Sequence, residues 1–140
     1  MKQRTYIIAA TLCLAGFLAY FMVVGKRTPE IRNIILISID TCRADYLSCY
    51  GYPQKTTPHI DAFAGNATRF SNVVSPVPIT LPAHSSMLTG TIPPFHGVHD
   101  NTGYQLTPSN LTLAEILKQN GFNTAAIVSA FVLDRKRGLV

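Results

Sequence analysis

Runs of apolar residues, separated by short polar segments, divide the chain into one long and several short elements. Residues 33–39 (NIILISI) form a nearly continuous β-branched run, which is typical of a parallel strand covered on both faces. Residues 69–74 and 124–128 are shorter apolar runs and predict two further strands. Because these strands alternate with predicted helices, the pattern favours an α/β fold with a mainly parallel sheet flanked by helices.

Three short helices are predicted from signals at their ends. Each is closed by a glycine, and they span residues 57–65, 81–89 and 112–121. The third has the clearest start, since Thr112 and Glu115 have the spacing of a capping box. We expect the first helix to turn Ile60, Phe63 and Ala64 toward a core.

The longest apolar run, residues 6–24, predicts a transmembrane segment. It contains 19 residues without a charge and would span roughly 29 Å as a helix, close to the hydrocarbon thickness of a bilayer. No small-x-small cleavage site follows it, so an uncleaved signal anchor is favoured over a cleaved signal peptide. Basic residues flank both ends and leave the orientation open. We expect residues 1–27 to be the anchor, 28–32 a linker, and the rest to lie outside the cytoplasm.

The charge distribution argues against a nucleic-acid-binding protein. The formal net charge is +5, but residues 28–140 carry eight Lys and Arg against seven Asp and Glu, a net charge of +1. No clustered basic face of the kind that binds phosphate backbones is visible. Cys42 and Cys49 can form a disulfide in an oxidising compartment or remain free thiols.

Two residues stand where chemistry is expected from their position alone. Asp40 directly follows the first predicted strand, at the sheet edge where open α/β folds bind ligands, so it is a candidate metal ligand; its alternative is a turn cap. Thr80 precedes the second helix, where free N–H groups bind anions, although a simple N-cap explains it equally. His84 follows Thr80 by one helical turn and can donate a proton to a substrate, or it can be a structural histidine.

Another pair of histidines has a spacing that invites a metal site. His96 and His99 lie three residues apart, with Asn101 close by. No carboxylate or cysteine pattern accompanies them, so a structural role is favoured.

Two segments resemble the sulfatase family of the alkaline phosphatase superfamily. Residues 37–52 (ISIDTCRADYLSCYGY), followed by residues 57–61 (TPHID), are similar to the first metal-site motif of that family. Residues 80–90 (TLPAHSSMLTG), followed by Pro93 and residues 96–98 (HGV), are similar to its nucleophile segment. The similarity extends from about residue 33 to residue 140, in the family's order and spacing.

This resemblance implies an alkaline-phosphatase-like fold and a metal-dependent hydrolase of sulfate esters, with Thr80 in the nucleophile position. It implies that Asp40 and Thr80 are ligands of a divalent metal ion, Ca²⁺ or Mg²⁺ in the first place and Mn²⁺ or Zn²⁺ otherwise. His84 stands where the family has an arginine. Residues 33–140 correspond to the N-terminal part of the catalytic domain only, and the family's later metal ligands have no counterpart here. We therefore expect these 140 residues to be inactive alone.

The sequence also departs from the family's pattern. The family's nucleophile is Cys or Ser oxidised to formylglycine, and oxidation of Thr80 would give a ketone instead. Thr41 stands in place of the second of two paired aspartates. These departures leave two alternatives: a phosphodiesterase or phosphonate monoester hydrolase with a threonine nucleophile, or a family member without catalysis.

Overall fold

A computed structural model describes residues 14–17, 20 and 31–139. The chain divides into two compact units, Met1–Ser38 and Ile39–Val140. In the first unit, residues 14–17 and 20 are helical and exposed. None of the helices in the described ranges is long and apolar enough to cross a membrane. Most of the predicted anchor, residues 6–24, lies outside the described residues.

Four short α-helices form the second unit: α1, Pro58–Ala64; α2, Thr80–Thr89; α3, Pro93–His96; and α4, Leu113–Gln119. Four 3₁₀ turns accompany them: Ala44–Tyr46, Ser48–Tyr50, Phe131–Leu133 and Arg135–Arg137. The three predicted helices are confirmed as α1, α2 and α4. Helix α3 was not predicted because it has a single turn, too short for an apolar period.

The start of α4 and the end of α2 follow the sequence signals, whereas at α1 the Thr57 side chain makes no cap bond and Gly65 has a right-handed φ of −64°. In α4 the Glu115 N–H donates to Thr112 Oγ1 (3.3 Å), and the Thr112 N–H donates to Glu115 Oε2 (2.8 Å), which completes the capping box. The Thr112 N–H bond lowers the pKa of Glu115. Helix α2 ends at Gly90, whose φ of 67° lies in the left-handed region that glycine adopts without strain.

A small apolar core joins α2 to the end of the described chain. Its buried residues are Leu81, Val98, Leu106 and Leu139, with Leu88 and Leu133 packed against them. The Leu106 N–H donates to the carbonyl of Arg137 (2.8 Å), which ties the last segment to the core. Gly138 permits this approach, since a Cβ there would lie 2.2 Å from the Leu106 carbonyl oxygen.

The predicted strands are not found among the residues that the structure describes. Residues 33–39, 69–74 and 124–128 have no strand assignment there, and their apolar side chains are exposed, Ile35 by 83% and Val74 by 88%. A strand becomes regular only when a neighbouring strand takes up its N–H and C=O groups. No described segment pairs with these three, so the apolar runs stay outside regular secondary structure. The predicted sheet is therefore absent from this part of the chain.

The expected inward face of α1 is also wrong for its two large side chains. Phe63 is 75% exposed and Ile60 38% exposed, while Ala64 is partly buried. Helix α1 is fixed instead by polar groups at its start, where the Ser48 hydroxyl donates to Asp61 (2.5 Å). A polar anchor of this kind positions the helix without burying its apolar side chains.

Candidate active site around Asp40 and Thr80

The structure brings Asp40 and Thr80 together although 40 residues separate them. The Thr80 hydroxyl donates a hydrogen bond to Asp40 Oδ2 at 3.2 Å. Asp40 is exposed and Thr80 is partly buried, so the pair lies at the protein surface, within reach of a ligand from solvent. A hydroxyl whose hydrogen points at a carboxylate is polarised toward an alkoxide, which is the state a nucleophile needs.

The other oxygen of Asp40 is held by the next residue. The Thr41 N–H donates to Asp40 Oδ1 at 2.9 Å. Thr41 has a φ of 58°, the one positive φ of a residue other than glycine among the described residues. For a β-branched residue this conformation costs roughly 1–2 kcal/mol. The backbone at Thr41 thus holds one oxygen of Asp40 while the other faces Thr80.

The start of α2 differs from the prediction. Helix α2 begins at Thr80 itself, and Ile79 is in the N-cap position, without a side-chain cap of its own. The Leu81 N–H is bonded to Asn101 Oδ1 (2.8 Å), and Pro82 has no N–H. The prediction of free N–H groups that could bind an anion at this helix start is therefore wrong at two positions. At Leu81 the N–H is already bonded to Asn101, and at Pro82 there is no N–H. Thr80 is not in the N-cap position, and its hydroxyl donates to Asp40.

His84 lies one turn along α2 from Thr80, as predicted. Its Nδ1 is 2.8 Å from the Thr80 carbonyl oxygen. Because a carbonyl only accepts, Nδ1 must carry the proton in this bond. The imidazole is partly buried, and its bond to the Thr80 backbone holds it beside the candidate nucleophile.

The Asp40 and Thr80 oxygens suit a hard divalent cation, which binds oxygen ligands. They supply only part of a coordination shell, since such a cation takes about six to eight oxygens. Within the described ranges, no group of three or more His, Cys, Asp and Glu side chains has the arrangement of a metal site. The residues present therefore fit the expected cation as two of its ligands.

His96 has a structural environment, with partners other than Asp40 and Thr80. It is 2% exposed. Its Nδ1 accepts from the Val98 N–H (3.1 Å), so Nε2 carries the proton and donates to Ser86 Oγ (2.9 Å). Burial, with a smaller contribution from His99, lowers the pKa of His96. His99 packs edge-on against the Tyr104 ring, with centroids 5.6 Å apart. The structure therefore gives both imidazoles protein partners.

One polar cluster at the start of α1 was not found by sequence reasoning. Asp61, in the first turn of α1, accepts from the hydroxyls of Ser48 (2.5 Å) and Thr57 (3.2 Å). The Ser48 bond is the largest of the effects that lower the pKa of Asp61. The four-residue spacing of Thr57 and Asp61 was a local signal for part of this cluster, but Ser48 joins from a turn that the apolar pattern does not mark. Cys49, next to it, is partly buried, and both Cys42 and Cys49 are free thiols.

Comparison with known proteins places these residues in one family. The sulfatase family model matches residues 32–137. An ulvan-active sulfatase of Formosa agariphila is 41% identical over 97 residues, covering 69% of this chain and 19% of that protein. Human arylsulfatase A is 34% identical over 108 residues (71% and 21%). An N-acetylgalactosamine-6-O-sulfatase of Bacteroides thetaiotaomicron is 34% identical over 104 residues (68% and 19%).

No solved structure matches the chain significantly. The chain spans about a fifth of the length of these curated relatives. The family match includes both Asp40 and Thr80, which the structure joins by a hydrogen bond. The chain belongs to the sulfatase family.

Proposed function

We propose that this protein hydrolyses sulfate esters, with Thr80 as the attacking group and Asp40 as the group that polarises it. The observation that carries the proposal is the hydrogen bond from Thr80 Oγ1 to Asp40 Oδ2, at the first residue of a helix. The three relatives described above are all sulfatases by name, which supports a sulfate ester as the substrate class. The proposal includes an alkaline-phosphatase-like sheet, which residues 33–39, 69–74 and 124–128 would join only when further strands pair with them.

In the first step, the Thr80 oxygen attacks the ester sulfur and its proton passes to Asp40. The bond between sulfur and the leaving oxygen breaks, and that oxygen takes a proton from the His84 imidazolium. This leaves a sulfated Thr80 and the free alcohol. The His84 bond to the Thr80 carbonyl oxygen (2.8 Å) supports this role, because it fixes the imidazole to the residue that carries the attacking hydroxyl.

In the second step, water attacks the same sulfur and gives a proton to His84. The bond from sulfur to the Thr80 oxygen breaks, Asp40 returns its proton to that oxygen, and hydrogen sulfate leaves. A divalent metal ion held by Asp40 and Thr80 would supply positive charge that acidifies the hydroxyl and stabilises the charge on the ester. Ca²⁺ or Mg²⁺ suits this oxygen set best, with Mn²⁺ or Zn²⁺ as alternatives.

A second candidate function is the hydrolysis of phosphate diesters or phosphonate monoesters. The identity of residue 80 favours it, because a threonine cannot become the formylglycine aldehyde and must attack through its own hydroxyl. The same proton transfers apply with phosphorus in place of sulfur. A third possibility, a family member that binds without catalysis, predicts no turnover of any of these esters.

The enzymatic test uses the longest reading frame that contains residues 1–140. Aryl sulfate, phosphate diester and phosphonate monoester are assayed with each of the four metal ions. We expect Thr80→Ala to abolish turnover of the preferred ester, and Thr80→Ser to retain part of it because the hydroxyl remains. Thr89→Ala is the matched control, since Thr89 ends the same helix and its hydroxyl bonds to Ser85 and Thr91 within the described part of the chain. Full activity in Thr80→Ala would refute the nucleophile assignment.

We further propose that residues 6–24 anchor the protein in a membrane, with the catalytic part outside the cytoplasm. The support is the 19-residue uncharged run of residues 6–24. Membrane fractions washed with alkaline carbonate should retain the protein, and N-terminal sequencing should begin at the original start. Release into the wash, or a start beyond residue 24, would contradict the anchor.

A further inference from the structure

The start of α2 has an unusual arrangement of hydrogen bonds. An α-helix leaves its first N–H groups without helical partners, and a polar side chain at the N-cap ordinarily accepts from one of them. Here the N-cap position is Ile79, which has no acceptor on its side chain. Leu81 is fully buried, so its N–H requires a partner within the protein. That partner is Asn101 Oδ1, at 2.8 Å, from 20 residues further along the chain.

Asn101 is held in place by the same core that holds α2. Val98, three residues before Asn101, is fully buried in the cluster that contains Leu81. Two residues before Val98, at the end of α3, His96 bonds through its ring to Ser86 on α2. Asn101 is itself partly buried, and its own N–H donates to Asp100 Oδ1 (2.6 Å). The amide oxygen therefore reaches the helix from a segment that is fixed to it at several points.

We infer that Asn101 is a positioning residue for Thr80. It supplies the cap that α2 lacks at Ile79 and so relieves Thr80 of that role. A side chain that caps a helix must turn its oxygen toward a first-turn N–H. Because Asn101 accepts from the Leu81 N–H, the Thr80 side chain need not turn toward that N–H, and it keeps the orientation in which its hydroxyl donates to Asp40. This inference rests on the proposed role of Thr80 as nucleophile, and its structural half is testable without activity.

The test compares Asn101→Ala, Asn101→Asp and Asn110→Ala in the longest reading frame that contains residues 1–140. Aspartate keeps an acceptor for the Leu81 N–H, and its charge suits a helix N-terminus. Asn110 is a matched control: it is also partly buried. Among the described residues its side chain bonds to the His96 carbonyl and to Thr107, and not to the start of α2. We measure amide hydrogen exchange of the peptide containing Leu81, and kcat and KM for the preferred ester.

For Asn101→Ala we expect exchange at Leu81 to rise at least about tenfold, and kcat to fall about 10- to 100-fold with KM nearly unchanged, because a displaced nucleophile loses reactivity rather than substrate binding. Asn101→Asp should keep kcat within a few-fold of the unsubstituted protein. Asn110→Ala should change neither the exchange at Leu81 nor kcat. Unchanged exchange at Leu81 in Asn101→Ala would overturn the cap. Faster exchange with full kcat would overturn the positioning role. A failure of the proposed function is separate, since it would appear as full activity in Thr80→Ala.

Discussion

Two neighbouring serines in α2 allow the buried contact of His96 to be weighed by itself. Ser85 and Ser86 are both buried, at 0% and 7% exposure. Each hydroxyl donates to the carbonyl four residues earlier, at 2.8 Å for Ser85 and 2.9 Å for Ser86. Only Ser86 also accepts from His96 Nε2, at 2.9 Å. The comparison of Ser86→Ala with Ser85→Ala therefore isolates the imidazole bond.

In Ser86→Ala the His96 Nε2–H loses its acceptor at a site that is 2% exposed. A buried donor left without a partner costs about 1–3 kcal/mol of unfolding free energy. The higher helix propensity of alanine returns at most about 0.5 kcal/mol. We expect a net loss of about 1–2 kcal/mol. Ser85→Ala leaves no buried donor without an acceptor, and the gain in helix propensity partly offsets the lost hydroxyl bond. We therefore expect the unfolding free energy to change by no more than about 0.5 kcal/mol.

The assay is urea unfolding followed by circular dichroism, at about pH 7.5, where His96 is neutral. If the variants have equal m-values, their urea midpoints can be compared directly as differences in stability. A loss in Ser85→Ala as large as that in Ser86→Ala would refute the reasoning, because the cost would then come from the helix bond that both serines share.

Three further predictions use the same unfolding measurement. Thr112→Ala should cost about 1 kcal/mol through loss of the capping box, and Glu115→Gln much less; equal losses would contradict the cap. Burial lowers the pKa of His96 from its ordinary 6.5, so the unfolded chain binds this proton more readily. The contribution of neutral His96 to the unfolding free energy is full above about pH 6.5 and is lost as the pH falls toward the lowered, folded-state pKa. In His96→Asn, the unfolding free energy should therefore depend less steeply on pH in that range. Thr41→Gly relieves a left-handed threonine at the expense of unfolded-chain entropy, so the unfolding free energy should rise by up to about 1 kcal/mol; a fall would show that φ at residue 41 is not strained.

What could be predicted from the sequence follows from the range of the interactions involved. The start of α4 and the end of α2 were predictable, because the Thr112–Glu115 capping box and Gly90 each act on backbone groups only a few residues away. Strands were predicted from apolar runs, but a strand depends on a partner that the run does not specify. Residues 33–39 and 124–128 accordingly have no strand within the described part of the chain.

The candidate site also shows that features set by distant residues could not be predicted from local sequence. The closeness of Asp40 and Thr80 was an expectation from the family resemblance, and the structure joins them at 3.2 Å. The role of Thr80 as a helix cap was a local inference, and it failed because Asn101 accepts the Leu81 N–H from 20 residues away. The left-handed backbone at Thr41 had no sequence signal, since threonine is among the residues least suited to it.

The central claim is that the hydroxyl of Thr80, held by Asp40, is the group that attacks the ester. It is tested most directly by acid-quenching the longest reading frame that contains residues 1–140 during steady turnover, followed by mass spectrometry of the peptide that contains Thr80. We predict a sulfate or phosphate adduct on Thr80 that forms with substrate and disappears when substrate is exhausted. Turnover without any adduct on this residue, at a rate that Thr80→Ala retains, would contradict the claim.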